Sequence, residues 1–134
     1  MYRIALILAF LPIVLLAALS AWAQQPIPLA QQPFPGVLAA TVRPSGADTF
    51  DFEVTVSSPY DTPQRYADAF RVSSPDGTVF GERMLLHDHQ HEQPFTRALY
   101  GVKISPGLRK VVIQAHDQQF GYGGTSREVT LPGR

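Results

Sequence analysis

The stretch of sequence that decides the fold is residues 49–56, which read Thr-Phe-Asp-Phe-Glu-Val-Thr-Val. In this stretch Phe50, Phe52, Val54 and Val56 alternate with polar side chains. Successive side chains of a β-strand point to opposite faces, so a period of two collects all four apolar side chains on one face. The stretch therefore predicts a strand with one face in a hydrophobic core and the other in solvent.

Similar strand patterns surround this stretch. They fall at residues 37–42, 66–72, 78–86, 99–104, 108–115 and 126–131. Clusters of proline, glycine, serine and aspartate separate them, of which Pro-Asp-Gly at 75–77 is the clearest hairpin turn. No segment has the 3.6-residue apolar period of a helix. The sequence predicts an all-β fold: a single antiparallel, immunoglobulin-like sandwich of about seven strands.

The N-terminus has the features of a secretory signal peptide. Arg3 precedes an apolar run at residues 4–19, and Ala21 and Ala23 form the small-residue pattern read by a signal peptidase. We expect cleavage after Ala23, which gives a signal peptide over residues 1–23. The apolar run is shorter than the ~20 residues that span a bilayer, so no stable membrane insertion is expected after cleavage. These features predict a periplasmic or secreted protein.

Composition limits what the exported part can do. Residues 24–35 are rich in proline and glutamine and are expected to form an extended spacer before a β-sandwich domain at residues 36–132. The whole chain balances 11 basic against 11 acidic residues, which disfavours nucleic acid as a partner. It contains no cysteine, which removes thiolate metal sites, cysteine nucleophiles and a cysteine-linked lipid anchor.

Several segments resemble known proteins. Residues 66–86 resemble the middle hairpin of a fibronectin type III domain, and residues 111–115 with 121–126 resemble its last two strands and the loop between them. Residues 87–97, followed by the aromatic-glycine stretch 120–124, are similar to a group of small exported bacterial proteins with no assigned activity. These resemblances imply export and a compact β domain, and they imply no chemistry.

Three of the four histidines lie in one motif, His-x-His-x-His at residues 87–91. On an extended backbone, side chains two residues apart project to the same face about 7 Å apart, and neutral imidazoles suit Zn²⁺ or Cu²⁺. The motif predicts a zinc or copper site, with carboxylates outside the ligands orienting the rings. The candidate ligands are His87, His89, His91 and His116, and the candidate orienting residues are Asp88, Glu92 and Asp117. The same segment also fits a solvated polar loop, hydrogen-bonded structural histidines or a pH-sensitive contact.

Sandwich topology predicts where these residues meet. If successive strands run up and down, the connections at 57–63, 87–95 and 117–124 share one end of the domain. We expect His116 to approach the histidine motif there. Polar and aromatic residues of these connections are candidates for contacting a partner: Tyr60, Asp61, Arg97, Phe120 and Tyr122.

The residues favour a binding protein over an enzyme. No nucleophile elbow, glycosidase carboxylate pair or dinucleotide fingerprint is present, and no catalytic residue is assigned. The first hypothesis is an exported domain that binds a divalent transition metal. The alternative is an adhesive or scaffolding module that binds a protein or glycan through its loop end or an open sheet edge, and a small metal-dependent oxidoreductase is a third hypothesis.

Overall fold

A computed structural model describes residue 32 and residues 34–134. The predicted signal peptide, and residues 24–31 and 33 of the predicted spacer, lie outside the described residues. The described part of the chain contains strands, turns and bends, and no helix. The prediction of an all-β fold is therefore confirmed.

In the described residues, eight strands form two antiparallel sheets. The first sheet has the order β1 (Gly36–Gly46), β2 (Thr49–Ser57), β5 (Phe95–Lys103). The second has the order β4 (Val79–Met84), β3 (Ala67–Ser73), β6 (Lys110–Asp117), β7 (Gly121–Tyr122), and β8 (Arg127–Thr130) also pairs with β6. Both sheets contribute to one hydrophobic core, an arrangement consistent with the predicted sandwich.

The alternation in β2 explains why the sheets pack together. Its four apolar side chains are all buried, at 4% exposure for Phe50 and 0% for Phe52, Val54 and Val56. Phe70, Val72, Val111 and Ile113 of the second sheet are each 0% exposed and belong to the same core. Burying one such side chain contributes about 1.5–3 kcal/mol, so the core is the main source of stability.

The strand boundaries differ from the prediction in two places. The predicted end of the first strand at residue 42 is wrong, because β1 continues through Pro44 to Gly46 and bulges between these two residues. Proline lacks an N–H, yet β1 pairs with β2 alone in the described sheet and so tolerates it. In addition, β5 begins at Phe95 and not at Leu99.

The predicted hairpin at residues 75–77 is confirmed. Gly77 adopts a φ of 97°, a left-handed conformation that favours glycine, and its N–H donates to the carbonyl of Ser74 at 3.0 Å. This turn joins β3 to β4. Because the strands alternate in direction, β2, β4 and β6 all end at the same end of the molecule.

Candidate functional site: the loop end

Three connections meet at the end of the molecule where β2, β4 and β6 end, as the topology predicted. We call this region the loop end and define it by residues 58–66, 85–94 and 118–126. A backbone bond from Gln118 N–H to the carbonyl of Tyr66, 3.0 Å, joins the first connection to the third. The first also bonds the second, because the N–H of Ser58 donates to Oε1 of Gln93 at 2.8 Å. The Nε2 of Gln93 in turn donates to the carbonyl of His89 at 3.0 Å.

Asp61 is a buried carboxylate that ties two connections together. It is 1% exposed, and its Oδ2 accepts the backbone N–H of His89 at 2.9 Å. Its Oδ1 accepts the N–H of Ala67 at 3.1 Å. Burial raises the pKa of Asp61, because removal from water disfavours the charged form more than these hydrogen bonds favour it. Asp61, which was predicted to contact a partner, is therefore buried, and its hydrogen bonds join the first connection to the second.

Asp117 is the second buried carboxylate, and it is 0% exposed. Its Oδ2 accepts the hydroxyl of Tyr60 at 2.6 Å and the Nε–H of Arg65 at 3.1 Å. Its Oδ1 accepts the backbone N–H groups of Gln119 and Phe120, both at 2.8 Å. Burial raises the pKa of Asp117, but the hydrogen bonds from Tyr60, Phe120, Arg65 and Gln119 outweigh it and hold the pKa below its usual value.

The side chain of Arg65 fills the space between two aromatic rings. Its guanidinium carbon lies 4.3 Å from the ring centroid of Tyr60 and 4.6 Å from that of Phe120. Phe120 also contacts Phe34 edge to face, with centroids 6.3 Å apart. Burial and the hydrogen bond to Asp117 both raise the pKa of the Tyr60 hydroxyl. The Arg65 guanidinium therefore contacts both rings and donates a hydrogen bond to the Asp117 carboxylate.

Exposed apolar side chains concentrate at this end. Leu86 is 83% exposed and Phe120 is 61% exposed, and both lie in the connections. Met84, at the last position of β4, is 53% exposed, and Leu38, near the start of β1, is 48% exposed. The start of β1 lies here because Gly36 pairs with Ser57. Four of the six large apolar side chains that are exposed in the described residues therefore lie in or next to the loop end.

The histidine motif does not form an extended strand. Residues 85–94 run through bends and a turn, and Glu92 N–H donates to the carbonyl of His89 at 3.1 Å. His89 is 5% exposed and stacks on Phe95, with ring centroids 3.9 Å apart and planes 11° apart. The ring of His87 lies 4.9 Å from that of His89, whereas His91 is exposed. Two of the three histidines therefore lie side by side.

Burial disfavours the charged form of the His89 imidazole and lowers its pKa. The neighbouring Arg97 and His87 lower the pKa of His89 further. Within the described residues, its Nδ1 is buried and has no hydrogen-bond partner. A buried polar atom without a partner costs about 1–3 kcal/mol.

His116 lies elsewhere, on the outer face of the second sheet. Its Nδ1 is 2.5 Å from Oδ1 of Asp68, and its ring contacts Tyr122 edge to face at 4.7 Å. A bulge between Ala67 and Ala69 breaks the alternation of β3 at Asp68. Among the residues that the structure describes, no group of three or more histidine, aspartate or glutamate side chains is placed to hold one metal ion.

The predicted orienting carboxylates have other contacts. Asp88 Oδ2 accepts the N–H of Gln90 at 3.2 Å. Glu92 forms a two-pronged ion pair with Arg97, at 2.9 Å and 3.2 Å. This pair lowers the pKa of Glu92 and raises that of Arg97.

Tyr122 does not project from a loop tip. The guanidinium carbon of Arg71 lies 3.7 Å from its ring centroid, and its hydroxyl donates to Glu82 Oε2 at 3.3 Å. Burial and the charge of Glu82 raise the pKa of Tyr122 to about 12. Sequence reasoning missed Arg65 and Arg71, although each lies on or beside a predicted strand and stacks on an aromatic residue named as a candidate.

A pocket of about 280 Å³ opens between the end of β4 and the histidine motif. Its lining combines two guanidinium groups, two imidazoles and three apolar side chains. These residues are Arg83, Met84, Leu85, Leu86, His87, His89 and Arg97. The ring of His89 thus lies in the wall of a pocket whose other walls carry apolar side chains and guanidinium groups.

Comparisons with known proteins add one relative. The chain is similar to a protein of Halomicrobium mukohataei named "Putative lipoprotein", with 36% identity over 93 residues. The match covers 69% of this chain and 45% of that protein, so the chain spans less than half of its relative's length. No family model and no solved structure matches the chain. No helix in the described residues is long and apolar enough to cross a membrane.

Proposed function

We propose that this chain is an exported, non-catalytic binding domain that docks a partner protein on its loop end. The observation that carries the proposal is the set of four exposed apolar side chains in or next to the loop end, two of which lie on connections that are hydrogen-bonded to two buried carboxylates. These side chains are Leu38, Met84, Leu86 and Phe120.

Locked connections favour binding for an energetic reason. Ordering a flexible side chain on association costs about 0.5–1.5 kcal/mol, and a surface that is already ordered avoids much of that cost. Asp61 holds residues 85–94, and Asp117 holds residues 118–126, each against residues 58–66. The exposed Leu86 and Phe120 are therefore presented from fixed backbones.

A protein partner fits this surface better than a glycan. The four exposed side chains are aliphatic, a thioether and a phenyl ring, and none of them can hydrogen-bond a sugar hydroxyl. A sugar hydroxyl that loses water without a replacement hydrogen bond costs free energy. Apolar side chains of a protein carry no such cost, and their burial is favourable.

Export to the periplasm or the exterior is part of the proposal. The apolar N-terminal segment and its Ala-x-Ala ending support it. The name of the Halomicrobium mukohataei protein supports a cell-envelope location for this chain as well. The hairpin β3–β4 and the pairing of β6 with β8 support the fibronectin type III resemblance as the finer description of the fold.

Site-specific photocrosslinking in the natural host tests the docking proposal. A photoreactive amino acid replaces Leu86 or Phe120 at the loop end, and matched variants carry it at Val79 or Tyr100, which are also exposed. We expect one discrete protein adduct from positions 86 and 120 and none from 79 and 100. Equal labelling at all four positions, or no adduct from the loop end, would contradict the proposal.

The second candidate function is divalent metal binding by His87 and His89. The specific observation is that their rings lie 4.9 Å apart in the wall of one pocket. Calorimetric titration of the untagged chain with Zn²⁺ and Cu²⁺ tests it. One equivalent bound with a Kd below 1 μM, about 8 kcal/mol, and lost in His87→Ala would support a metal site. Weak binding at several sites would remove this candidate.

A further inference from the structure

The pocket beside the histidine motif has an unbalanced set of charges. Arg83 and Arg97 both line it, and no aspartate or glutamate is among its lining residues. The nearest acid partner, Glu92, is bonded to Arg97 from a side chain that is 55% exposed. The lining therefore favours an anion.

Both guanidinium groups are fixed in place by bonds to the chain. Arg83 donates from Nη1 to the carbonyl of Ala98 at 3.1 Å, which anchors it across the edges of the two sheets. Arg97 donates from Nη1 to the carbonyl of Thr96 at 2.8 Å. A guanidinium carries five N–H groups in a planar fork that matches a carboxylate, so the bond to Ala98 leaves Arg83 able to donate to an anion. At Arg97 the anion has to replace Glu92, which already accepts from Nη1 and Nη2.

His89 adds a polar group that the protein itself does not use. The ring lines the pocket, it is 5% exposed, and its Nδ1 has no partner within the described residues. A neutral imidazole has one N–H donor and one acceptor nitrogen. A carboxylate oxygen in the pocket would supply an acceptor beside this ring.

Apolar side chains complete the pocket. Met84 and Leu86 are 53% and 83% exposed at its rim. A ligand that satisfied only the charges would leave them in water. A ligand with an apolar group next to its carboxylate would cover them, which is favourable by about 25 cal/mol for each Å² removed from water.

We propose that this pocket binds a carboxylate flanked by an apolar side chain, supplied by an acidic residue or chain terminus of the partner protein. Arg83 and Arg97 hold the carboxylate, and Met84 and Leu86 cover the apolar group. This assignment rests on the proposed docking function and names the chemistry that the loop end recognises.

The test uses N-acetyl-leucine, an apolar carboxylate, and its amide as the matched uncharged probe. Both are titrated into the ¹⁵N-labelled protein and followed by amide chemical shifts. We expect the acid to shift resonances of residues 83–97 with saturation in the millimolar range, and the amide to bind at least about tenfold more weakly, as the loss of one charge-assisted hydrogen bond implies.

Three variants and one control variant extend the test. Arg97→Gln is expected to weaken acid binding about tenfold, and Arg83→Gln provides the same test at a second position. Glu92→Gln removes the carboxylate that competes for Arg97 and is expected to tighten binding. Arg127→Gln, on exposed β8, is the control and leaves it unchanged. Equal binding of acid and amide, or no effect of Arg83→Gln and Arg97→Gln in folded protein, would overturn the assignment.

The two experiments distinguish failure of the carboxylate assignment from failure of the docking proposal. A crosslinked adduct from positions 86 and 120 without selective acid binding would overturn the carboxylate assignment and leave the docking function supported. Selective acid binding without an adduct would support the pocket assignment and overturn docking of a protein.

Discussion

Replacing Asp117 by asparagine is the most informative change to the loop end. Asparagine has nearly the same shape, and its Oδ1 can still accept the N–H groups of Gln119 and Phe120. Its amide group, however, takes the place of the oxygen that accepts the Tyr60 hydroxyl at 2.6 Å and the Arg65 Nε–H at 3.1 Å. The hydroxyl of Tyr60 can reverse and accept from the amide, whereas Arg65 has only donors.

The magnitude follows from this lost ion pair. Breaking a buried pair costs about 3–5 kcal/mol, and a hydrogen bond to a charged group contributes about 1.5–3 kcal/mol. The side chain of Arg65 is 26% exposed, so water compensates for part of the loss. We therefore expect Asp117→Asn to lower the free energy of unfolding by about 3 kcal/mol, at the low end of the range for a buried pair.

Urea unfolding measures this change. It is followed by far-ultraviolet circular dichroism, a signal that does not depend on tryptophan fluorescence. The matched control is Glu128→Gln, whose partner Lys110 is 57% exposed and whose own side chain is 56% exposed, so we expect a loss of about 0.5 kcal/mol or less. The difference between wild type and Asp117→Asn should also shrink below pH 3.8, because the pKa of Asp117 is lowered and its stabilisation is lost on protonation. A loss no greater than that of the control would refute the role of Asp117 as a buried clamp.

Four further substitutions have defined outcomes. Gly124→Ala should lower the free energy of unfolding by about 1–3 kcal/mol, because a Cβ would overlap the carbonyl oxygen of Pro35. Phe52→Ala should cost about 3–5 kcal/mol by emptying the core, whereas Phe120→Ala, at an exposed position, should cost little and still abolish docking. Burial raises the pKa of Asp61, so the folded state binds protons more tightly, and the stability of wild type relative to Asp61→Asn should fall as pH rises above 3.8 through the folded pKa.

Each of these changes is checked by urea unfolding with a comparison. Gly46→Ala is the control for Gly124→Ala, since a Cβ there meets only Thr49 at 3.6 Å. Equal costs at the two glycines would contradict the predicted overlap. A Phe120→Ala protein as unstable as Phe52→Ala would show that Phe120 belongs to the core. A relative stability that rises with pH would contradict the raised pKa of Asp61.

The fold was predictable because its signals are local. The alternation at residues 49–56 defines β2, and the turn at 75–77 defines the hairpin of β3 and β4. The extension of β1 through Pro44 was not predictable, because proline interrupts most strands and is tolerated mainly in edge strands and at bulges. Which strand lies at an edge depends on tertiary pairing, which the local sequence does not show.

The site was harder to predict, because it depends on contacts between distant residues. The His-x-His-x-His spacing brings side chains to one face only in an extended backbone, and residues 87–91 bend and turn instead. The expected approach of His116 to the histidine motif is not seen, because the side chain of His116 lies on the outer face of β6. There it pairs with Asp68 of the neighbouring strand β3. The clamping roles of Asp61 and Asp117 require knowing which N–H groups face them, which no local pattern shows.

Amide hydrogen exchange of the wild-type protein tests most directly whether two buried carboxylates lock the loop end. The amides of His89, Gln119 and Phe120 each donate to one of these carboxylates. We predict that all three exchange at least about a hundredfold more slowly than in an unstructured peptide, which corresponds to ~2.8 kcal/mol of local opening. Exchange at nearly peptide rates, while the amides of β2 remain protected, would contradict a locked loop end.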